Sequence, residues 1–220
     1  MNETIITKTS IQQQKDTSEK YARTFLERNH NSNKLMRVTK GKYTKSDNIY
    51  SIATNLFTPT YLSFWSASYF KGYTEQIINQ IQVVATKKHK TINYQNYTID
   101  FTKTNKKYFF GFEKIKSGNE FMFLVDDEKL LIDSIHYENK LGNFDEIIKI
   151  VKNAKINKNK MLQYLKKINN KSLNKKIGYL LEQYKTMDIS KEIDYLDKNY
   201  VKLSNFLECK KTNKKWKVKL

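Results

Sequence analysis

Apolar positions in this chain follow a helical period first, then a strand period, then a helical one again. In "DTSEKYARTFLERN", Tyr21, Ala22, Phe25 and Leu26 recur on one face and leave Lys20, Arg23, Thr24 and Glu27 on the other. Asp16 as N-cap, with Glu19 three residues on, predicts where this helix starts. After the polar turn "NHNSN", Leu35, Met36 and Val38 lead to Gly41, where "KLMRVTKGKYTK" can reverse as a tight hairpin. The next block, "PTYLSFWSASYFKGYTEQ", predicts a helix from Thr60, as cap, to about Lys71, with Gly72 ending it. Its polar residues Ser63, Ser66 and Ser68 form no broad wet face. A helix apolar nearly all round belongs in a core rather than serving as a nucleic-acid stacking platform.

From Gln80 the period shortens. "QIQVVAT", "YTIDFTK", "KYFFGFEKI" and "EFMFLVD" are β-branched and aromatic runs, the last two separated by the turn signal "KSGN". They predict a mostly antiparallel sheet of about four strands. "DDEKLLIDSIHYE" then starts a helix, with Asp126 or Asp127 as N-cap and Leu130, Leu131 and Ile135 facing inward. "FDEIIKIVKNA", "NKNKMLQYLKKIN", "KSLNKKIGYLLEQYK" and "SKEIDYLDKNYV" are each helical in period, while the ending "NKKWKVKL" alternates like a strand that rejoins the sheet. Strands followed by helices define an α+β class.

A capped helix followed by a basic hairpin is the order of a winged helix-turn-helix, in which the helix enters the major groove and the wing meets phosphates. A small helix-hairpin cap with solvated lysines has the same pattern. Only "TIITKTSIQQQ" precedes the helix, room for one short helix, so a winged domain here lacks its first helix. The expected division is residues 1–46 as this abbreviated domain and 47–220 as an α+β domain.

Charge narrows the partners. With 41 Lys+Arg against 22 Asp+Glu, the 220-residue chain carries a formal charge of +19, which points to a polyanion, nucleic acid first. Between Lys152 and Lys185 ten lysines face one acid, Glu182. Lys158, Lys160, Lys166, Lys167, Lys171, Lys175 and Lys176 are therefore the candidates for a second basic patch, unless they are the solvated face of amphipathic helices. No apolar run reaches the roughly 20 residues of a membrane span, and "MNETIITKTS" lacks a basic-then-apolar leader, so a cytoplasmic protein without membrane partners is expected. The single Cys209 excludes an intrachain disulfide, and His30, His89 and His136 lie far apart, so neither metal nor cofactor is expected.

Four segments in order, "RVTKGKYTK", "PTYLSFWSASYFKGYTEQ", "VDDEKLLIDSI" and "IGYLLEQY", resemble the AbiEi-like antitoxin and transcriptional-regulator family of abortive-infection, type IV toxin-antitoxin systems. The resemblance implies a winged-helix domain that binds inverted repeats in its own promoter as double-stranded DNA, two copies per operator. It also implies an α+β domain needed for antitoxin action against a nucleotidyltransferase toxin, without a tight complex. Carried onto this chain, base-edge contacts fall to the exposed side of the helix opening at Thr17 and Ser18, with Lys20, Arg23 and Thr24. Arg37, Lys40, Lys42 and Lys45 would clamp phosphates. In the same resemblance the "DDEKLLID" stretch is a structural junction with Glu128 and Asp133 hydrogen-bonded inside.

Two alternatives remain beside it. Asp100, Asp127, Glu128 and Lys129 loosely match a PD-(D/E)xK nuclease, whose acids hold a divalent metal and whose lysine approaches the attacked phosphate. Against it, Asp127 and Lys129 fall at a predicted helix start, where capping explains an Asp. The other alternative is an RNA-binding module using the Lys152 to Lys185 stretch. No Gly-rich phosphate loop, GxSxG elbow or HExxH motif supports another enzyme class.

Overall fold

The computed structural model describes residues 3–220. Its class is α+β, with helices filling the C-terminal half, as the periods predict. The chain forms two compact units, the first comprising the stretch through Leu62 with 79–104 and 114–124, the second the remainder.

In the first unit, α1 (Lys8–Lys15) starts in a reciprocal cap: Thr7 Oγ1 accepts the Ser10 N–H while Ser10 Oγ accepts the Thr7 N–H. Asp16 ends α1 in the left-handed region at φ 47°, a conformation Asp tolerates, so it does not open the next helix. Ser18 does, accepting the Tyr21 N–H at the start of α2 (Glu19–Asn31). Ala22 and Leu26 of α2 pack with Ile11, Leu35 and Tyr43 in a small core. The hairpin follows as β1 (Met36–Thr39) and β2 (Lys42–Thr44), and Gly41 supplies the positive φ of 74° its reversal requires. Ile6 exchanges both backbone hydrogen bonds with Tyr43, at 2.7 and 2.9 Å, so the segment before α1 edges the hairpin as a third short strand.

Next comes α3 (Ile49–Asn55), which periodicity did not predict; Asn48 Oδ1 caps it by accepting the Tyr50 and Ser51 N–H groups. The predicted start of the aromatic helix is instead β3 (Thr60–Leu62). Thr60 Oγ1 donates to the Thr54 carbonyl at 2.7 Å rather than capping a helix, and Tyr61 and Leu62 are wholly buried within a sheet. That sheet contains β4 (Gln80–Ala85), β5 (Ile92–Tyr94), β6 (Tyr97–Lys103), β7 (Phe112–Ser117) and β8 (Glu120–Val125) in the order β5-β6-β4-β3-β8-β7. It has more strands than predicted. β3 and β4 pair antiparallel, as do β5 and β6, while β4 with β6 and β3 with β8 are parallel.

In the second unit, α4 (Phe64–Phe70) carries the rest of the aromatic run. Phe64 is fully buried, whereas Tyr69 and Phe70 are 39% and 37% exposed, so the core expectation holds for the start of the run and not for its end. Asp126 caps α5 (Asp127–His136) by accepting the Lys129 N–H. Asn143, Asn157 and Asn170 do the same for α6 (Phe144–Asn153), α7 (Lys158–Ile168) and α8 (Lys171–Lys185). Leu130, Leu131, Ile147, Ile150, Leu165, Ile177 and Leu181 form the core of this helical layer.

"SKEIDYLDKNYV" is not helical. Asp197 Oδ1 accepts the Asn199 N–H in a local turn, and Ile193 and Tyr195 are buried at two-residue spacing, which no single helical face provides. Nor does the C-terminal stretch rejoin the large sheet: β9 (Val201–Lys202), β10 (Thr212–Asn213) and β11 (Val218–Lys219) make their own, in the order β10-β11-β9. Trp216 beside it is fully buried against Gly178 of α8, where an added Cβ would meet the ring at 2.1 Å. Gly178 is thus required for close approach despite its cost in a helix interior.

Candidate nucleic-acid interface

The exposed face of α2 presents Lys20, Arg23 and Glu27, and the hairpin presents Arg37, Lys40 and Lys45. A groove of about 560 Å3 runs where α2 meets the hairpin, and Arg23, Arg37 and Lys40 all line it. Among the described residues no carboxylate lies within ion-pair distance of Arg23, Arg37, Lys40 or Lys45. Their charge is therefore available to an external anion. Lys8 and His30 line the same groove and were not anticipated; the Ile6–Tyr43 bridge and the small core bring them there, and no local period signals it.

The predicted base-contacting hydroxyls are less free. Ser18 Oγ accepts the Tyr21 N–H, and Thr24 Oγ1 donates to the Lys20 carbonyl at 3.0 Å. Thr17 is half-buried. Lys42 points away from the other basic residues of the hairpin. Its ammonium turns inward, donates to the Leu56 carbonyl at 2.5 Å and sits 4.9 Å from the centre of the Phe57 ring. Burial pulls its pKa below the ordinary lysine value. It does not line the groove shared by Arg23, Arg37 and Lys40.

The second basic patch is largely neutralised by acids distant in sequence. Lys158 pairs with Glu192, Lys160 with Asp126 and Glu128, and Lys171 with Asp194. Lys175 is 1% exposed, and its ammonium donates to Asp197 and to the Asn199 carbonyl, both at 2.6 Å. Lys176 is half-buried, and burial lowers its pKa. Lys166 and Lys167 remain exposed, with Lys167 over the Phe110 ring at 4.3 Å. Counting charges within one window cannot see these partners; Lys152 and Lys155 of the same stretch stay exposed beside that pair.

Three residues of the nuclease alternative, Asp127, Glu128 and Lys129, lie at the start of α5. Asp127 accepts from Lys71 Nζ at 2.8 Å, from the Tyr73 hydroxyl at 2.7 Å and from the Lys155 N–H at 2.7 Å. Burial raises its pKa, but these three donors outweigh that and hold the carboxyl below its ordinary value. Burial and the neighbouring Asp127 push the Tyr73 phenol well above its own. Glu128 accepts the Asn157 N–H, and Asp126 accepts the Tyr164 hydroxyl at 2.6 Å. The Lys129 ammonium and Asp133 form a pair sealed from solvent, and Ser63 Oγ donates to Asp133 at 3.0 Å. Asp100 lies on β6 in the first unit, and the rest belong to the second. Among the described residues no group of three or more His, Cys, Asp or Glu is arranged to hold a metal ion.

Among the described residues no helix is long and apolar enough to cross a membrane. No family model matches the chain, and no curated protein matches it.

Proposed function

We propose that this chain is a DNA-binding regulator of its own promoter and the antitoxin of a type IV, abortive-infection toxin-antitoxin pair, acting in the cytoplasm and without catalysis. The observation that carries it is the convergence of unpaired Arg23, Arg37 and Lys40 on one groove. Two helices joined through Asp16, Thr17 and Ser18, followed by a hairpin whose outer strand bonds back to Ile6, supply the frame. In this reading α2 lies in the major groove, Lys20 and Arg23 meet base edges, and Arg37, Lys40 and Lys45 hold the phosphate backbone. Two copies on an inverted repeat double the contact set and set the half-site spacing. The toxin is a nucleotidyltransferase, opposed without a tight complex.

Fluorescence anisotropy with a duplex from the chain's own upstream region tests this. The expected result is binding that weakens steeply with salt and prefers the inverted repeat to a shuffled duplex. Equal affinity for both duplexes would remove the operator role. Absence of a nucleotidyltransferase reading frame beside this one, or failure of co-expression to relieve the growth arrest that such a nucleotidyltransferase causes, would remove the antitoxin role.

A further inference from the structure

A second concavity in the first unit, of about 450 Å3, shares no lining residue with the groove described above. Lys42 enters it from β2, Lys87 and His89 from the segment after β4, and Asn55 and Thr86 add an amide and a hydroxyl. No carboxylate lines it among the described residues. The size suits a mononucleotide or sugar phosphate rather than a single ion.

Its polar groups are held at fixed positions. His89 stacks on Phe57, with ring centres 4.1 Å apart and planes 10° from parallel, and Lys42 Nζ lies 4.9 Å from the centre of the Phe57 ring. Phe101 meets both rings edge-on at 5.4 Å. The imidazole and one ammonium are thus positioned by the same aromatic ring, and the ammonium has only the Leu56 carbonyl as hydrogen-bond partner among the described residues. The charged groups acting on His89 are Lys87 and Lys42, both cationic; burial first, and then these two, keep its pKa below the ordinary histidine value. Convergent donors without a counter-charge, walled by aromatic surface, complement an anion with several acceptor oxygens.

We propose that this cavity binds the phosphate group of a small molecule, with Lys42 and Lys87 neutralising it and His89 donating a hydrogen bond. A metal ion or a cationic ligand is disfavoured there by the like charge. The inference does not depend on whether the chain binds DNA, and its test uses no DNA.

Calorimetric titration of the full chain with ribose 5-phosphate, 5′-AMP, inorganic phosphate and adenosine reads it directly. The phosphorylated probes are expected to bind, and more tightly as pH falls, because a bound anion favours the imidazolium form. Lys87→Gln, at an exposed position, and Lys42→Gln should each weaken them about tenfold or more, the cost of a lost charge-assisted bond. If inorganic phosphate matches the esters, the ligand is free phosphate; if the esters win, it is an organic phosphate, and either outcome upholds the site. Adenosine binding as well as 5′-AMP would overturn it. So would unchanged affinity in Lys87→Gln, or no heat from any phosphorylated probe at millimolar concentration.

Discussion

The lysines and arginines of the N-terminal helices and hairpin and those of the C-terminal helices look alike in sequence, yet the fold treats them oppositely. Among the described residues Arg23, Arg37, Lys40 and Lys45 stand without carboxylate partners, while Lys158, Lys160, Lys171 and Lys175 are each claimed by an acid from elsewhere in the chain. A local excess of charge is therefore not a charged surface. What matters is whether the fold delivers a counter-charge.

The sharpest way to break this contrast is to remove a cation the fold has internalised. Lys129→Ala leaves the Asp133 carboxylate buried without its ammonium and should cost about 3–5 kcal/mol in chemical denaturation. A loss below about 1 kcal/mol would mean that water or another cation replaces it. Next, the double substitution Arg37→Glu and Lys40→Glu should reduce the salt dependence of DNA binding by about two log-log units, one per lost phosphate contact. Stability should move by no more than about 0.5 kcal/mol, since both side chains are exposed. An unchanged slope would leave the hairpin without a role on DNA.

Lys158→Ala or Lys171→Ala should do the reverse, lowering stability by about 0.2–1 kcal/mol through a lost surface ion pair while leaving DNA affinity alone. Lys42→Gln should likewise spare the salt slope, because its ammonium faces the Leu56 carbonyl. The smallest effect concerns acid. Asp127 has a folded-state pKa below its unfolded one, so its contribution is complete above the unfolded value and disappears as pH falls through the folded value. Lys71→Met removes one of its donors and should shift the acid limb of the stability curve to higher pH.

Where a period persists over three turns or a cap adjoins it, the fold was legible. Although Tyr21, assigned to the inward face of α2, is 50% exposed, Ala22 and Leu26 on that face, the hairpin at Gly41 and the start of α5 at Asp126 were readable. β3 was not, because three buried residues inside a long apolar block carry no period of their own. β9, β10 and β11 are two residues each, shorter than any repeat that could announce them. For the candidate interface, exposure of Lys20 and Arg23 follows from the helical period and that of Arg37, Lys40 and Lys45 from their place in the basic hairpin. The inward turn of Lys42 depends on Leu56 and Phe57, and the burial of Lys175 on Asp197, partners no sequence window joins.

The paired hydrogen bonds of Ile6 with Tyr43 give the hairpin a tether ahead of α1. A loop anchored only at its base must be stilled on each encounter with a rigid surface, and that ordering is subtracted from the affinity. If the chain binds DNA as proposed, basic fingertips yoked to the strand in front meet the double helix already set, so their grip goes into contact rather than into holding still.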